Sequence, residues 1–386
     1  MNKINKDWKE VKLGDIVDIT MGQSPKSEFY NKRNEGMPFL QGSATFGFMH
    51  PYFETYSSDI KKIAINGSVL MSVRAPVGDL NIANADVCIG RGLCSINGKS
   101  NIINRYIFYL LSYYKPKLLN MQKGTTFGAI TKDDILNFKV LIAEDIEEQK
   151  RIASALSKID AYLENTIKLI EEKERFKRGI AKKLLTCKEG ENIPEARFKG
   201  FEDEWEETQI LEFVNNNIIK IEKGKSITKS KIEEGDIPVI AGGKTPPYYH
   251  NKYNYNFPCI TISASGSAGY VWFHDYKIWA SDCHVIYTDN KRYNIKFLYH
   301  YLKNIQDLIY YLQVGGVQKH VYAKDLIKLN IPNITIEEQE KIGGYLSLLD
   351  KEIDNLKKQK ELIKEMKRGA MQKLLSGEVR LVDNYD

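Results

Sequence analysis

The sequence lacks the features that mark a secreted, membrane-spanning or metal-binding protein. Its five cysteines are an odd number without C-x-x-C spacing, which argues against a disulfide framework and a thiolate zinc site. The six histidines are scattered without H-x-x-x-H spacing. No apolar run approaches the roughly 20 residues of a membrane span, and the N-terminal residues do not form a signal-peptide core. We therefore expect no metal site and a soluble protein in the reducing cytoplasm.

Nucleotide-binding loops of the form G-x-x-x-x-G-K-[ST] are also missing. Three segments have the closing Gly-Lys followed by Ser or Thr; they start at Gly98, Gly224 and Gly243. Five positions earlier, where the motif needs glycine, the residues are Leu93, Ile219 and Pro238. Without glycine there, the backbone amides cannot wrap a phosphate in this way, so no nucleoside triphosphate site is indicated.

Two further segments only approximate catalytic motifs. The run starting at Thr245 reads TPPY, whereas amino-methyltransferases have Asn, Asp or Ser first, and no Gly-rich cofactor turn accompanies it. We interpret this run as a rigid turn fixed by Pro246 and Pro247. The residues around Ser265 do not match the G-x-S-x-G pattern of a nucleophile elbow, so SASGSAG is interpreted as a tight turn after a strand. The sequence predicts no catalytic residue.

The chain contains an internal repeat. Forty residues from Ile146, beginning IEEQ, align without a gap on forty residues from Ile336, and both copies contain KRG and close with KLL. Apolar residues recur at heptad spacing in both, with polar breaks at Lys173, Lys177, Lys360 and Lys367. We predict two long helices whose seams need a partner; an ordinary amphipathic helix packed on its own domain is the alternative. Close approach of another backbone would explain Gly179 and Gly369 inside these helices.

The segments between the helices correspond more loosely. Short runs rich in Ile, Val, Tyr and Phe alternate with Gly, Asn and Pro turns, and a brief helix is predicted near Tyr106 to Leu118 and again near Phe297 to Leu312. With 386 residues and 42% hydrophobic content, the chain can form two β-rich domains. Its formal charge of +6 fits a polyanionic partner, although an AT-rich genome would also produce such a lysine-rich composition.

These features together make the chain resemble the DNA-specificity (S) subunit of type I restriction-modification systems, over essentially its full length. The resemblance is carried by the duplicated IEEQ and KRG-KLL motifs and by the linker phrase ARFKGFEDEWEE from Ala196. It implies an α+β fold in which two β-rich target recognition domains alternate with two long helices that pack as an antiparallel coiled coil, with an internal pseudo-two-fold. The implied target recognition domains are residues 1–145 and 205–335. The implied helical spacers are residues 146–188 and residues 336–386, the second including the C-terminal tail, and residues 189–204 form a connector.

The resemblance also implies a function. Members of this family bind an asymmetric, bipartite DNA site without catalysing a reaction, dock methyltransferase (M) subunits on the two helical regions, and are joined by a restriction (R) subunit in phage defence. S-adenosylmethionine is expected on the methyltransferase, and ATP and Mg on the restriction subunit, with no cofactor on this chain. A helix of about 35 residues is roughly 50 Å long, enough to hold two DNA readers about one turn of B-DNA apart. Two alternatives remain: a stand-alone DNA-binding or scaffold protein, and a lone methyltransferase.

Base readers should be side chains on loops that reach the major groove, where Arg or Lys suits guanine and Asn or Gln suits adenine. In the first domain the candidates are Ser24, Lys26, Gln41, Ser43, Arg74, Arg91, Thr125 and Thr126. In the second they are Lys225, Lys229, Lys244, Ser265, His284, Gln318, Lys319 and His320. Each lysine on a Gly turn can equally be a solvated surface charge, and Arg74 can simply pair with Asp79.

Overall fold

The computed structural model describes residues 8–121 and 129–382. The chain divides into two compact units. Unit 1 combines Met1–Lys168 with Lys358–Asp386, and unit 2 is the continuous segment Leu169–Lys357. Each division falls inside a long helix, so each unit contains the beginning of one long helix and the end of the other.

Unit 1 is a β-rich domain with a buried helix. Its strands are β1 (Trp8–Lys12), β2 (Val17–Met21), β3 (Tyr30–Asn31), β4 (Met37–Leu40), β5 (Tyr56–Ser57), β6 (Ile63–Ala64), β7 (Val69–Ser72), β8 (Leu80–Ile82), β9 (Val87–Ile89), β10 (Leu93–Gly98) and β11 (Lys139–Ala143). Its helices are α1 (Leu13–Ile16), α2 (Asn104–Met121), α3 (Lys132–Leu136) and the first part of α4 (Ile146–Leu185). An antiparallel sheet has the order β2-β10-β7-β8, a second has the order β3-β5-β4-β9-β6 with β4 and β9 parallel, and β1 pairs with β11.

Unit 2 repeats this plan. Its strands are β12 (Glu206–Gln209), β13 (Ile219–Lys223), β14 (Ile237–Ile240), β15 (Tyr248–His250), β16 (Cys259–Ser263), β17 (Val271–His274), β18 (Trp279–Ala280), β19 (Cys283–Thr288) and β20 (Asn330–Asn333). Its helices are α5 (Ile210–Asn215), α6 (Ile295–Asn304), α7 (Gln306–Tyr311), α8 (Ala323–Leu326) and the first part of α9 (Ile336–Leu375). The sheets β13-β19-β16-β17 and β12-β20 reproduce their counterparts in unit 1. The sheet β15-β14-β18 reproduces the three central strands β5-β4-β9 of the five-stranded sheet, including the parallel pair. The structure thus confirms the α+β class and the duplication.

The two long helices have the bounds that the repeat predicts. The heptad seam is buried over most of its length, at Ile152, Leu156, Leu163, Ile170, Leu184, Ile342, Leu346, Leu349, Ile353, Ile363 and Leu374. The shorter predicted helix is continuous as α2, whereas its counterpart breaks into α6 and α7 at Ile305. Removing the buried side chains of the seam from water stabilises each helix far more than its intrinsic propensity does.

Three of the four lysines that interrupt the seam form ion pairs with the other long helix, whereas Lys360 pairs with Glu361 of its own helix. In unit 1, the Lys367 ammonium lies 2.5 Å from Asp160, and Gln359 donates to the Tyr162 hydroxyl. In unit 2, Lys173 lies 2.7 Å from Glu352, and Lys177 contacts Asp350. In both units the residue number on one helix falls as that on the other rises, so the paired segments run antiparallel, as predicted.

Two of these ion pairs are equivalent by the repeat. Asp160 also accepts a 2.8 Å hydrogen bond from Tyr109, whose hydroxyl lies 3.2 Å from Ser157. In unit 2 the His300 ring takes the place of this tyrosine, with 3.0 Å between its Nε2 and the Ser347 hydroxyl and 4.0 Å between its Nδ1 and Asp350. Burial lowers the pKa of His300 to about 3, so this ring is neutral at physiological pH.

The IEEQ motif supplies a buried, ion-paired glutamate to each unit. The buried Glu148 carboxylate receives two hydrogen bonds from Arg380, and the buried Glu338 receives two from Arg197, at 2.6 to 2.9 Å. Such bidentate pairs fix both side chains in a single geometry. The following glutamine, Gln149 or Gln339, holds a backbone carbonyl and amide of its own domain.

The KLL motif has a matching structural role. Leu374 and Leu375, at the end of α9, lie in the core of unit 1 with Trp8. Leu184 and Leu185, at the end of α4, lie in the core of unit 2 with Trp205. The leucine pair that ends each half of the sequence therefore completes the core of the unit formed mainly by the other half.

Gly179 and Gly369 do not fit the expected close approach. A Cβ atom at either position would meet no atom within 4 Å among the described residues. Both glycines lie on exposed helix surface. The expectation of close backbone packing within this chain was therefore wrong for both.

We expect Arg197→Ala to destabilise unit 2 by about 3–5 kcal/mol, because it leaves the 2% exposed Glu338 carboxylate buried without its counter-charge. Urea unfolding followed by tryptophan fluorescence measures the change. The matched control is Glu337→Gln, at the exposed neighbour, which should stay within about 0.5 kcal/mol of the parent. Equal effects of the two substitutions would contradict a stabilising role for the buried pair.

Candidate nucleic-acid interface

Four loops of unit 1 meet beside the ends of its sheets. We call residues 22–26, 41–43, 73–79 and 90–92 loop cluster 1. Backbone hydrogen bonds join them: Gln23 N to Ile89 O at 2.9 Å, Gly92 N to Gln41 O at 3.2 Å, and Val73 N to Gly92 O at 2.9 Å. The loops pack so closely that a Cβ on Gly22 would lie 2.1 Å from the carbonyl oxygen of Gly90.

Loop cluster 1 brings together most of the residues predicted for the first domain. The Ser24 hydroxyl donates to the Gln41 side chain at 2.9 Å and accepts from the Arg91 amide at 3.2 Å. The side chains of Lys26, Gln41, Arg74 and Arg91 are exposed. Such donors and acceptors on one surface suit both base edges and phosphates. Thr125 and Thr126 lie outside the described residues.

Asp79 pairs with Lys115 and not with Arg74, the partner considered from the sequence. Its carboxylate pairs with Lys115 at 2.8 Å and accepts from the Ser43 hydroxyl at 3.2 Å. Arg74 forms no ion pair with it, so the guanidinium stays exposed. Lys26 has only an exposed contact with Glu28 at 3.7 Å, which contributes little in water.

Unit 2 has an equivalent loop cluster. We call residues 224–229, 241–244, 264–267, 281–282 and 314–320 loop cluster 2. Lys225 N donates to Ala280 O at 2.9 Å, Ser267 N to Gly242 O at 2.6 Å, and Val321 N to Ala264 O at 3.1 Å. The SASGSAG segment turns directly after β16, with Gly266 and Gly269 at positive φ, as predicted for a tight turn.

The predicted residues of the second domain differ in accessibility. Lys225, Lys229, Lys244, Gln318 and Lys319 are exposed, and the last two lie on the turn closed by the Val314–His320 bridge. The ring of His320 stacks on Tyr322 at 6.2 Å. His284 is buried, with its Nε2 2.9 Å from the Val321 carbonyl oxygen. This histidine therefore does not belong to the exposed set, because β19 points it into the domain.

The two loop clusters carry opposite charges at one matching turn. The carbonyl of Gly92 accepts from the amide of Val73, and that of Asp282 accepts from the amide of Ala264. Unit 1 therefore presents the exposed Arg91 beside this turn, whereas unit 2 presents Asp282, which accepts from the Ser265 hydroxyl. Arginine suits guanine, and a carboxylate suits the amino group of cytosine, so the units do not offer the same contacts.

Sequence reasoning missed several polar residues of this surface. Asp282 and Lys115 follow no motif, and only the folded loops bring them to Ser265 and Asp79. Lys303 lies on α6, with its ammonium 4.2 Å from the centre of the Tyr270 ring, and Lys244 contacts the same ring at 5.7 Å. No local pattern in the sequence indicates this arrangement.

The described part of the chain has no group of three His, Cys, Asp or Glu residues placed to hold a metal ion. None of its helices combines the length and apolar character needed to cross a membrane. Burial raises the pKa of Cys94, Cys259 and Cys283 to about 12, so these thiols stay protonated.

Comparison with known proteins identifies the family. The family model described as type I restriction modification DNA specificity domain matches residues 5–172 and 202–365. The chain belongs to this family and carries its domain twice.

Two relatives from Methanocaldococcus jannaschii illustrate the similarity. The putative type I restriction enzyme MjaX specificity subunit is 44% identical over 191 residues, which are 49% of this chain and 45% of that relative, so this match spans about half of each protein. The type I restriction enzyme MjaVIII specificity subunit is 22% identical over 410 residues, covering 98% of this chain and 94% of the relative.

A solved structure has the same fold. The crystal structure of a type I restriction-modification system S subunit from M. genitalium matches with a TM-score of 0.71 at 19% identity, covering 97% of each chain. At this identity the likeness establishes the architecture alone.

We expect the double substitution Lys244→Ala with Lys319→Ala to weaken binding of one half-site and to flatten the salt dependence, by about 0.9 in the logarithmic slope for each lost phosphate contact. Fluorescence anisotropy of labelled duplexes at several salt concentrations measures both effects. The control is Lys328→Ala, a lysine of unit 2 that pairs with Asp325 at 3.1 Å. An unchanged slope would remove both lysines from the DNA-contact set.

Proposed function

We propose that the chain is the sequence-specific DNA-binding subunit of a type I restriction-modification complex, with one unit reading each half of a bipartite, asymmetric site. One observation carries the proposal: a single fold occurs twice, with the same buried Glu–Arg pair in both copies but with different exposed loops. Equal scaffolds with unequal loops suit two different half-sites, because bases are read by side chains and not by the scaffold.

The long helices provide the surface for methyltransferase subunits in this proposal. Beside Gly179, Phe176 is 52% exposed, and beside Gly369, Met366 is 50% exposed, at equivalent positions of the repeat. An exposed apolar side chain next to a glycine lets a partner helix approach closely. The restriction subunit joins this assembly in the full complex.

The proposed subunit is not a catalyst. The absence of a complete nucleotide, methyltransferase or nucleophile motif supports this role. Methyl transfer then takes place on the methyltransferase subunits, which bind S-adenosylmethionine, while the restriction subunit binds ATP and Mg.

The direct test is a long-read map of adenine methylation in a host carrying the cognate methyltransferase, with and without this chain. We expect a split, non-palindromic motif to be methylated only when the chain is present. A chain with the loops of unit 2 replaced serves as the control and should change only one half of the motif. If no methylated motif depends on the chain, the specificity role is excluded for that methyltransferase pairing, and tight specific binding by the purified chain alone would then favour a stand-alone DNA-binding protein.

A second measurement separates the proposal from a lone methyltransferase. In equilibrium dialysis with labelled S-adenosylmethionine, we expect no retention by the chain alone and retention by its complex with the methyltransferase subunits. Saturable binding of one cofactor per chain in the absence of partners would contradict the non-catalytic role.

A further inference from the structure

Each unit has a cleft beside the C-terminal part of the long helix that comes from the other half of the sequence. In unit 1 this cleft lies between α2 and the end of α9, and in unit 2 it lies between α6 and the end of α4. In unit 2 the cleft has a volume of about 520 Å³ and is lined by residues of α4 and α6. In unit 1 a cleft of about 550 Å³ is lined by residues of α2 and α9. The clefts are equivalent by the repeat, so differences between their linings report on function and not on fold.

The unit 2 cleft is strongly basic. Lys177, Arg178 and Lys182 lie along α4, and Lys303 faces them from α6. Only Lys177 has a carboxylate partner, Asp350; in the described part of the chain, the other three cations have no carboxylate within 4 Å. We call these four residues the basic cleft.

The unit 1 cleft has three cations where the unit 2 cleft has four. Because His300 takes the place of Tyr109, Lys303 corresponds to Ser112, whose hydroxyl donates to a backbone carbonyl of its own helix. Gln372 stands at the position of Lys182, and Arg368 stands at that of Arg178. Lys364 and Lys367 are paired with Glu361 and Asp160. Lys182 and Lys303 are therefore the cations that distinguish the unit 2 cleft from its counterpart.

Lys303 is held in place rather than extended into solvent. Its ammonium donates to the Val271 carbonyl and the Gln306 side chain at 3.2 to 3.3 Å and lies over the Tyr270 ring. Lys244, on loop cluster 2, contacts the same ring. Burial, with a smaller contribution from the charges of Lys177 and Lys244, lowers the pKa of Lys303 to about 8. A continuous band of positive charge therefore joins loop cluster 2 to the basic cleft.

We propose that the basic cleft binds phosphate groups of the DNA backbone, extending the contact of unit 2 beyond the loops that read the bases. This inference rests on the proposed DNA-binding function. The ligand chemistry is a phosphodiester with two unpaired surface cations, Arg178 and Lys182, on one side and the fixed Lys303 on the other. Such contacts position a domain on DNA and add affinity without sequence preference.

The test uses the full-length chain and the double substitution Arg178→Gln with Lys182→Gln. Anisotropy is measured with a duplex carrying the methylated motif and with a scrambled duplex, at several salt concentrations. We expect the logarithmic salt slope to fall by about 1.8, at about 0.9 for each lost contact, and affinity to weaken by the same factor on both duplexes. The side chains replaced are exposed and outside the core, so folding should be preserved; circular dichroism verifies this.

The matched control removes the same charge outside the cleft. Lys183 and Lys351 are exposed residues of unit 2 that do not line it, and Lys183→Gln with Lys351→Gln should leave the slope nearly unchanged. An equal loss of slope in this control would attribute the effect to net charge and overturn the proposal. An unchanged salt slope in the cleft variant would also overturn the proposal, provided that the parent chain still discriminates its motif.

Two further outcomes keep the proposals distinct. If the chain in complex with the methyltransferase subunits does not discriminate the motif from the scrambled duplex, the proposed function is contradicted, and the cleft proposal that rests on it falls as well. A fluorescent ATP analogue and inorganic phosphate probe the other source of phosphate. Saturable binding of either that is lost in the cleft variant, with the DNA slope unchanged, would assign the cleft to a free phosphate compound and overturn the DNA assignment.

Discussion

The structure depends on the exchange of helix ends between the two halves of the sequence. Neither unit is complete with its own half alone, because the arginine of its Glu–Arg pair, the lysine of its Lys–Asp pair and its buried leucine pair come from the segment that ends the other half. Charged groups are costly to bury unless they are paired and hydrogen-bonded. The exchange therefore has a defined geometry, which a purely apolar contact would not impose.

This constraint explains why the repeated motifs are structural and the unrepeated residues are the functional candidates. IEEQ supplies the buried glutamate and a glutamine that satisfies backbone groups, and KLL supplies the buried leucines. Loop residues such as the exposed Arg91 in one unit and the half-buried Asp282 in the other are free to differ, because neither takes part in the buried Glu–Arg pairs or the leucine cores. In the two clefts the paired Lys177 and Lys367 are equivalent, whereas Gln372 replaces Lys182.

The sequence predicted the long helices accurately, because heptad spacing over forty residues and an ungapped repeat are strong signals. It also predicted polar breaks in the seam but not their partners, since the ion pairs join residues far apart in the chain. Side-chain accessibility in the short strands was the least predictable feature. His284 was expected on a DNA-contacting loop, yet it lies on a buried face of β19, because a shift of one residue in a strand reverses the side on which a side chain lies. Gly179 and Gly369 were expected to lie against another backbone because glycine inside a helix costs free energy. A Cβ atom at either position would meet no described neighbour, so that cost alone did not predict the packing around the glycines.

The division of the chain also has a consequence for its synthesis. Domains commonly fold in order from the N-terminus as they leave the ribosome. Here unit 2 is a continuous segment that is complete once Lys357 has been made, whereas unit 1 waits for the residues that carry Leu374, Leu375 and Arg380. The first domain to be translated is thus the second to be completed, and until then its core faces water where those leucines will pack. A premature stop near the C-terminus would damage the domain formed by the beginning of the chain.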